Sequence, residues 1–546
     1  MRGIHLLRVE FCVVTAHTAR FAVSCAYAKK SERIAMPRRS GLPVEVVARR
    51  AEHTQKRGIV TQRPSKHTVT ENESSTGEES LQRGLSYRHI QLIAIGGAIG
   101  TGLFLGSAKT ISLTGPSIVF VYAIIGIIIY FVLRAMGEIL LSNPKYKSFT
   151  DFVSDILGTR AGFFVGWSYW FFWVTTGIAD VLAITDYTHY WFPELPSFIP
   201  ALIVIGALLA LNLPSVKNFG EIEFWFAMVK IVSILALIAV GAVMVVFGFT
   251  SPDGTVASIT HLWDRPGPSG NGVFIHGLTG FLGSFQIALF AFVGAELVGT
   301  AVAETKNPER TLPRAINAVP LRMVLFYVLP LSAILAVTPW DKLDLNMSPF
   351  VGMFSLAGVS IAASLINFVV LTSATSSANS GIFSTSRMVF GLAEDGNAPS
   401  FLKKLSKNGV PTNALYLTTV LLLFSLVMLA FGRELLEAFT VVTSVASIMG
   451  IFTWSMILVS YLVYRKKFPK RHEASQYKMP FGRTMSWVGL VFFALMIYAL
   501  SLQPETALAL ALSPIWFIGV ELGYEIMVRR HARKRLLAES ARAETK

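Results

Sequence analysis

The sequence predicts an all-α integral membrane protein with twelve transmembrane helices, and three observations carry that expectation. Hydrophobic residues fill 53% of its 546 positions and charged residues only 15%, a balance that would give a soluble protein a largely apolar surface. The apolar residues come in successive runs, each long enough to cross a hydrocarbon layer of roughly 30 Å. Two runs are interrupted near their middles by glycine, at Gly96-Gly97-Ala98-Ile99-Gly100-Thr101-Gly102 and at Phe292-Val293-Gly294-Ala295-Glu296. Lipid cannot satisfy the backbone groups that such a break frees, so a broken membrane helix persists only where the break is buried in protein or lines a polar cavity. The pairing points to a transporter whose binding site lies at the breaks.

Taken in order, the spans cover residues 90–111, 115–141, 159–186, 197–214, 222–249, 276–303, 318–338, 356–386, 412–431, 435–464, 483–502 and 506–528. The interrupted spans are 1 and 6, and each begins a block of five. Close packing of small residues explains one glycine-rich helix; two at this separation fit a five-plus-five inverted repeat over about 90–249 and 276–464, followed by two additional helices over about 483–528. With a cytoplasmic amino terminus, the turns returning to that side carry seventeen Lys and Arg, among them Lys145, Lys217, Arg314, Lys404, Arg465 and Arg483. The opposite loops offer only Lys109, Arg265, Lys342 and Arg433. The positive-inside rule then places both termini in the cytoplasm.

The membrane domain is expected over 85–530 and a basic cytoplasmic tail over 531–546. Residues 1–84 read either as a disordered cytoplasmic extension or as sequence upstream of a true start such as Met36. Arg8, Glu10, His17 and Arg20 interrupt the apolar patches there, so neither a signal peptide nor a span forms. The first 88 residues hold 16 Lys and Arg against 8 Asp and Glu, so much of the +15 net charge sits in a tail. Without a folded basic face or interleaved aromatics, this is a membrane-facing charge and no nucleic-acid partner is expected. The only cysteines, Cys12 and Cys25, lie in the same stretch. Gly97, Gly100 and Gly102 have the spacing G-x-x-G-x-G, which differs from the dinucleotide pattern and is flanked by membrane helix. With no P-loop, nucleophile motif or metal-spaced histidine cluster, the sequence predicts neither an enzyme nor a metal or organic cofactor.

The breaks have complementary polarity. The second half of helix 1, opening near Thr101 and Gly102, aims free N–H groups and a positive dipole end at the membrane midplane, which suits a carboxylate. The first half of helix 6, ending near Phe292 and Val293, aims carbonyls at the same depth, which suits an ammonium group. Helix 8 adds Ser373, Ser376, Ser377, Ser380 and Ser384 on one face. That stripe either touches substrate or cation, or bonds to backbone and neighbouring helices. Among ionisable residues, Lys230 lies about eight positions into span 5 and either titrates in coupling or snorkels. Glu296 in the helix 6 break takes a proton or steadies the unwound backbone. Asp180 is a weaker pocket candidate. Arg134 and Glu138, four apart in span 2, read as an interfacial ion pair.

The run Arg88-His89-Ile90-Gln91 through Gly102-Leu103-Phe104 resembles the opening signature of the amino acid permeases of the amino acid-polyamine-organocation superfamily. So do Phe219-Gly220-Glu221-Ile222-Glu223-Phe224-Trp225, Glu296-Leu297-Val298-Gly299 and Asn379-Ser380-Gly381 with Ser386-Arg387-Met388. The resemblance covers roughly 81–530. It implies the five-plus-five fold in a bacterial inner membrane and proton-coupled import by alternating access, with the proton as the coupling ion. Ala179-Asp180-Val181, Leu371-Thr372-Ser373-Ala374 and 460–466 are most similar to members carrying D-serine, D-alanine and glycine. By similarity, Ala98, Thr101 and Gly102 match helix 1 substrate positions, and Phe290, Val293 and Glu296 match those of helix 6. The Lys230 amine would take the place of a sodium ion between helices 1, 5 and 8. Relatives that carry aromatic amino acids usually have glycine at the position of Val293, so the valine implies a smaller pocket. An obligate exchanger of other specificity and a non-transporting sensor are the alternatives.

Overall fold

The computed structural model describes residues 99–214, 216–300, 307–344, 347–356, 358, 360–430 and 435–544, within one compact unit, Thr76–Lys546. The expected extension, with Cys12, Cys25 and Met36, lies outside the described residues, as do Gly96, Gly97 and Ala98 of the first break. Among the described residues every regular element is helical, and the extended pairings are two isolated bridges, Thr250 with Val256 and Leu405 with Pro411.

The second half of span 1 is α1 (Thr101–Phe104) and α2 (Gly106–Thr114), joined through Leu105 in helical conformation. Gly115, at φ +62°, then turns the chain into α3 (Ile118–Leu141), the second span. A short amphipathic α4 (Phe149–Leu157) leads into α5 (Thr159–His189), followed by α6 (Phe198–Asn212) and α7 (Val216–Val246). Span 6 is split into α8 (Gly277–Phe290) and α9 (Leu297–Thr300). Span 7 is assembled from α10 (Pro308–Asn317), α11 (Val319–Met323), a π turn over Val324–Val328 and α12 (Leu329–Val337). Pro330 has no N–H to give the preceding turn, which accounts for the bulge there. After α13 (Pro349–Leu356) come α14 (Ser360–Glu394), α15 (Thr412–Leu422), α16 (Phe424–Ala430), α17 (Leu435–Lys467), α18 (Pro469–Ala474), α19 (Gly482–Leu500) and α20 (Pro504–Glu544).

Eight helical stretches among the described residues are long and apolar enough to cross a membrane, beginning with Gly106–Leu141, in which two expected spans run on, and ending with Thr506–Arg533. Helix α5 has the length, 31 residues, but its Trp, Tyr, Thr and Gly side chains dilute its apolarity. α6 and α8 are shorter, at 15 and 14 residues. The basic tail expected from residue 531 is the continuation of α20 to Glu544, because its Ala, Arg, Leu and Glu residues are strong helix formers.

Polarity is inverted relative to a soluble protein. Phe120, Ile127, Phe247, Ile361 and Leu365 face outward, whereas Thr101, Asp180, Glu223, Lys230, Glu296 and the serine stripe of α14 are buried. The polar groups are therefore gathered inside the bundle and the apolar ones meet lipid. At the centre α5 packs along α14 and α17, and α14 also lies against α7. Gly381 on α14 permits that approach, since a Cβ there would lie 2.2 Å from Cε3 of Trp173.

The expected Arg134–Glu138 pair does not form. Arg134 stacks its guanidinium 3.8 Å above the Tyr477 ring and donates to Asn317 Oδ1 at 2.9 Å and to the Lys478 carbonyl. Glu138 is fully buried and accepts from the Tyr461 hydroxyl at 2.8 Å and the Met479 N–H at 2.7 Å, with His472 Nδ1 at 2.5 Å. Chain returning from α17 to α19 offers each residue better partners than an i,i+4 contact at the surface of α3.

Candidate functional site

The two breaks meet. The first helix resumes at Thr101 after Gly100, whose φ of −130° and ψ of −161° are extended. The sixth stops at Phe290 and does not resume until Leu297, with Gly294 at φ +96°, a conformation that a side chain would strain. A Cβ on Gly102 would sit 2.6 Å from the backbone of Ala291, and one on Gly106 would sit 2.5 Å from Cγ2 of Ile287. Glycine is thus what lets span 1 touch the broken segment of span 6. Tight turns, Phe292 N–H to Leu289 O at 3.0 Å and Val293 N–H to Phe290 O at 3.1 Å, use up carbonyls that the helix end frees.

Gly100, Thr101, Gly102, Phe290, Val293 and Ser377 line a small cavity at this junction, together with Thr176 and Ala291. Its volume, about 10 Å³, is that of roughly one water molecule. An amino acid therefore enters only when these helices separate. Thr101 is held by its hydroxyl, which donates to Asp180 Oδ1 at 2.7 Å across from α5. Asp180, expected as a weaker pocket candidate, is thereby a neighbour of the break, though it does not line the cavity. Ala98 lies outside the described residues.

The serine stripe divides its work. Ser373 donates to the Ile99 carbonyl at 2.8 Å, and Ser377 lies where a Cβ on Gly100 would come within 3.1 Å of its Oγ. Both face the first break. Ser384 donates to Thr300 Oγ1 at 2.8 Å, fastening α9. Ser376, turned toward α7, donates to Glu223 Oε1 at 2.5 Å and accepts from Lys230 Nζ at 2.9 Å. Lys230 is fully buried. It stands fourteen residues after Val216, because α7 starts earlier than span 5 was expected to. It does not snorkel.

Glu296 is also fully buried, with the Tyr169 hydroxyl 3.4 Å from Oε1. Among the described residues, one carboxylate oxygen each of Asp180, Glu223 and Glu296 makes no hydrogen bond within 3.5 Å, and donors stand close to each carboxylate: Ser377 by Asp180, Asn379 and Ser380 by Glu223, Trp454 by Glu296. None of the three carboxylates lines the small cavity: Asp180 reaches it through Thr101, Glu296 sits in the broken segment, and Glu223, through Ser376, shares a network with a buried amine.

Two contributors were missed by the sequence reading. Glu223 was placed at the edge of span 5, yet it lies seven residues before Lys230 and hence on the same helical face. That spacing was a usable signal. Tyr327 in the π turn donates to the Ala291 carbonyl at 2.9 Å and stacks on Phe292 with centroids 4.8 Å apart, pinning the broken segment. Its orientation depends on the bulge, which hydrophobic periodicity does not encode.

The amino acid permease family profile matches residues 89–537 of this chain. The chain is 56% identical over 464 residues to the D-serine/D-alanine/glycine transporter of Escherichia coli (strain K12), covering 85% of this chain and 98% of that one. It is 47% identical over 453 residues to the amino-acid permease AapA of Bacillus subtilis (strain 168), covering 83% and 96%. With the aromatic amino acid transport protein AroP of Escherichia coli O6:H1 it shares 37% over 446 residues, covering 82% and 96%. Broken helices buried against each other, a polar interior in an apolar bundle and these matches lead to one conclusion: the chain is a multi-pass membrane transporter, not an enzyme, and belongs to the amino acid permease family.

Proposed function

We propose that this chain imports small neutral amino acids, D-alanine, D-serine and glycine, across a bacterial inner membrane in symport with protons. The observation that carries this reading is the junction of the two breaks, where Val293 narrows a cavity at the start of α1 and the Lys230–Ser376–Glu223 network lies behind it. The name of the 56% identical relative supports the same substrates. The helix start at Thr101 would receive the substrate carboxylate, and the end of α8 its ammonium group. Phe290, Val293 and Glu296 would form the side-chain wall. In this reading twelve spans form a five-plus-five inverted repeat plus two helices, with both termini cytoplasmic.

A buried lysine and a buried carboxylate bridged by a serine hydroxyl hold a proton at one of two places, and the balance between them depends on how closely α1, α7 and α14 pack. Protonation favours an outward-open form, substrate binding closes the junction, and proton and substrate leave together on the inner side. Glu296, beside the substrate, is a second proton-holding group.

The test is uptake of labelled D-alanine, glycine and L-phenylalanine into proteoliposomes under an imposed inward proton gradient. Accumulation of the small substrates alone is expected. Counterflow without net accumulation would make the chain an exchanger, binding without flux a sensor, and preference for L-phenylalanine would refute the pocket assignment.

A further inference from the structure

A second cavity, far larger than the junction, opens between the start of α5, the loop after α14 and the stretch of α20 from Leu512 to Arg533. Its volume is about 1330 Å³, beyond the range of roughly 300–1,000 Å³ typical of small-molecule pockets. The transport cycle proposed above has no use for it. Its walls are apolar and aromatic: Trp167, Trp170, Phe171, Leu512, Ile515 and Trp516. Trp167 donates its indole N–H to the Asn397 carbonyl at 3.2 Å, Trp170 to Thr418 Oγ1 at 3.1 Å and Trp516 to Ser168 Oγ at 3.1 Å. With the three indole N–H groups consumed, this wall offers a ligand mainly hydrocarbon surface.

One end of the cavity is different. Lys403, Arg530, His531 and Arg533 line it, and no Asp or Glu does, among the described residues. The nearest carboxylates on the packed elements are largely engaged: Glu394 lies 3.7 Å from Lys147, and Glu521 pairs with Arg160. Asp395 and Glu525 do not line the cavity; Asp395 offsets the charge of Lys403, which also donates to the Glu394 carbonyl at 3.3 Å, so Arg530 and Arg533 are, among the described residues, the cations left to a ligand. From Leu512 to Arg530 the groove follows α20 for roughly 27 Å, enough for one leaflet's roughly 15 Å of hydrocarbon plus a headgroup.

We infer that this groove binds an anionic glycerophospholipid of the cytoplasmic leaflet, its phosphate at Arg530 and Arg533 and an acyl chain along Trp167, Phe171 and Trp516. Charge selects this occupant. A lone acyl chain leaves the basic end unused, and a second copy docking the same face by a two-fold axis brings like charges together. Gly519 lets the chain lie close to α20, since nothing stands within 4 Å of a Cβ added there. The inference rests on the proposed orientation, which puts Arg530 at the cytoplasmic headgroups. Its test is separate from transport, so the two readings fail independently.

The experiment is native mass spectrometry of the delipidated full-length chain, titrated with palmitoyl-oleoyl phosphatidylglycerol or with the same chains on phosphatidylcholine. Glycerol phosphate serves as the headgroup alone. The expected result is retention of phosphatidylglycerol over both others, weakened roughly 25-fold in Arg530→Gln/Arg533→Gln, about fivefold per arginine. Gly519→Trp, whose Cβ meets nothing within 4 Å and whose ring would occupy the groove, should abolish retention while the basic end stays intact. Equal retention of phosphatidylcholine, undiminished phosphatidylglycerol in both variants, or a second copy retained in place of lipid would each overturn the inference.

Discussion

Two buried carboxylates in this bundle live under different rules. Glu138, where α3 meets the chain between α17 and α19, has both oxygens occupied by Tyr461, His472 and Met479. Glu223, in the middle of the bundle, has one oxygen on Ser376 and the other without a hydrogen bond among the described residues. Burying a charge is costly unless it is fully partnered, so the first arrangement holds a loop in place and the second keeps a site whose protonation can change. The same contrast separates Asp180 and Glu296 from Glu138. In the proposed mechanism a carboxylate that is completely satisfied builds the fold, and one left half-satisfied beside a buried amine serves coupling.

The largest effect should come from the half-satisfied side. Lys230→Gln removes the amine of the network, and D-alanine accumulation against its gradient should fall to the equilibrium level while counterflow survives. Retained accumulation would erase the contrast. Glu223→Gln should do the same, because Ser376 then no longer links an amine to an acid. Next comes Gly102→Ala, whose Cβ would meet the Ala291 backbone at 2.6 Å. Backbone cannot yield as a side-chain tip does, so uptake should drop at least about tenfold.

On the satisfied side, Glu138→Ala leaves three donors without an acceptor and should lower stability by about 3 kcal/mol. Thermal unfolding in detergent should show the loss, with coupling unchanged in the molecules that remain folded. A change in proton coupling would mean that Glu138 belongs to the same machinery as Glu223. The smallest effect is expected from Val293→Gly, which widens the cavity by three carbons. Larger substrates should then compete for D-alanine uptake, and if they gain nothing Val293 is not a pocket wall.

The sequence made the membrane body legible because bilayer length and glycine breaks are written in consecutive residues. Gly102, Gly294 and Lys230 were all found that way, and the structure puts the two breaks in contact. Pairings between distant segments were not legible. Glu138 and Arg134 look like partners at four residues apart, yet each binds chain more than 180 positions away. Glu223 was hidden by a misjudged helix start, since beginning α7 at Val216 moves it from the rim to the interior. Tyr327 needed the bulge at Pro330. The serine stripe was seen as one face, but a step of three rather than four residues sends Ser376 toward α7 and Ser377 toward span 1.

The central claim is that the Lys230–Ser376–Glu223 network moves protons with substrate. Proteoliposomes loaded with a pH-sensitive dye, with no gradient imposed, should acidify inside when D-alanine is added outside. Lys230→Gln vesicles should show no acidification while still exchanging labelled D-alanine. Acidification by that variant at the wild-type rate would contradict the account.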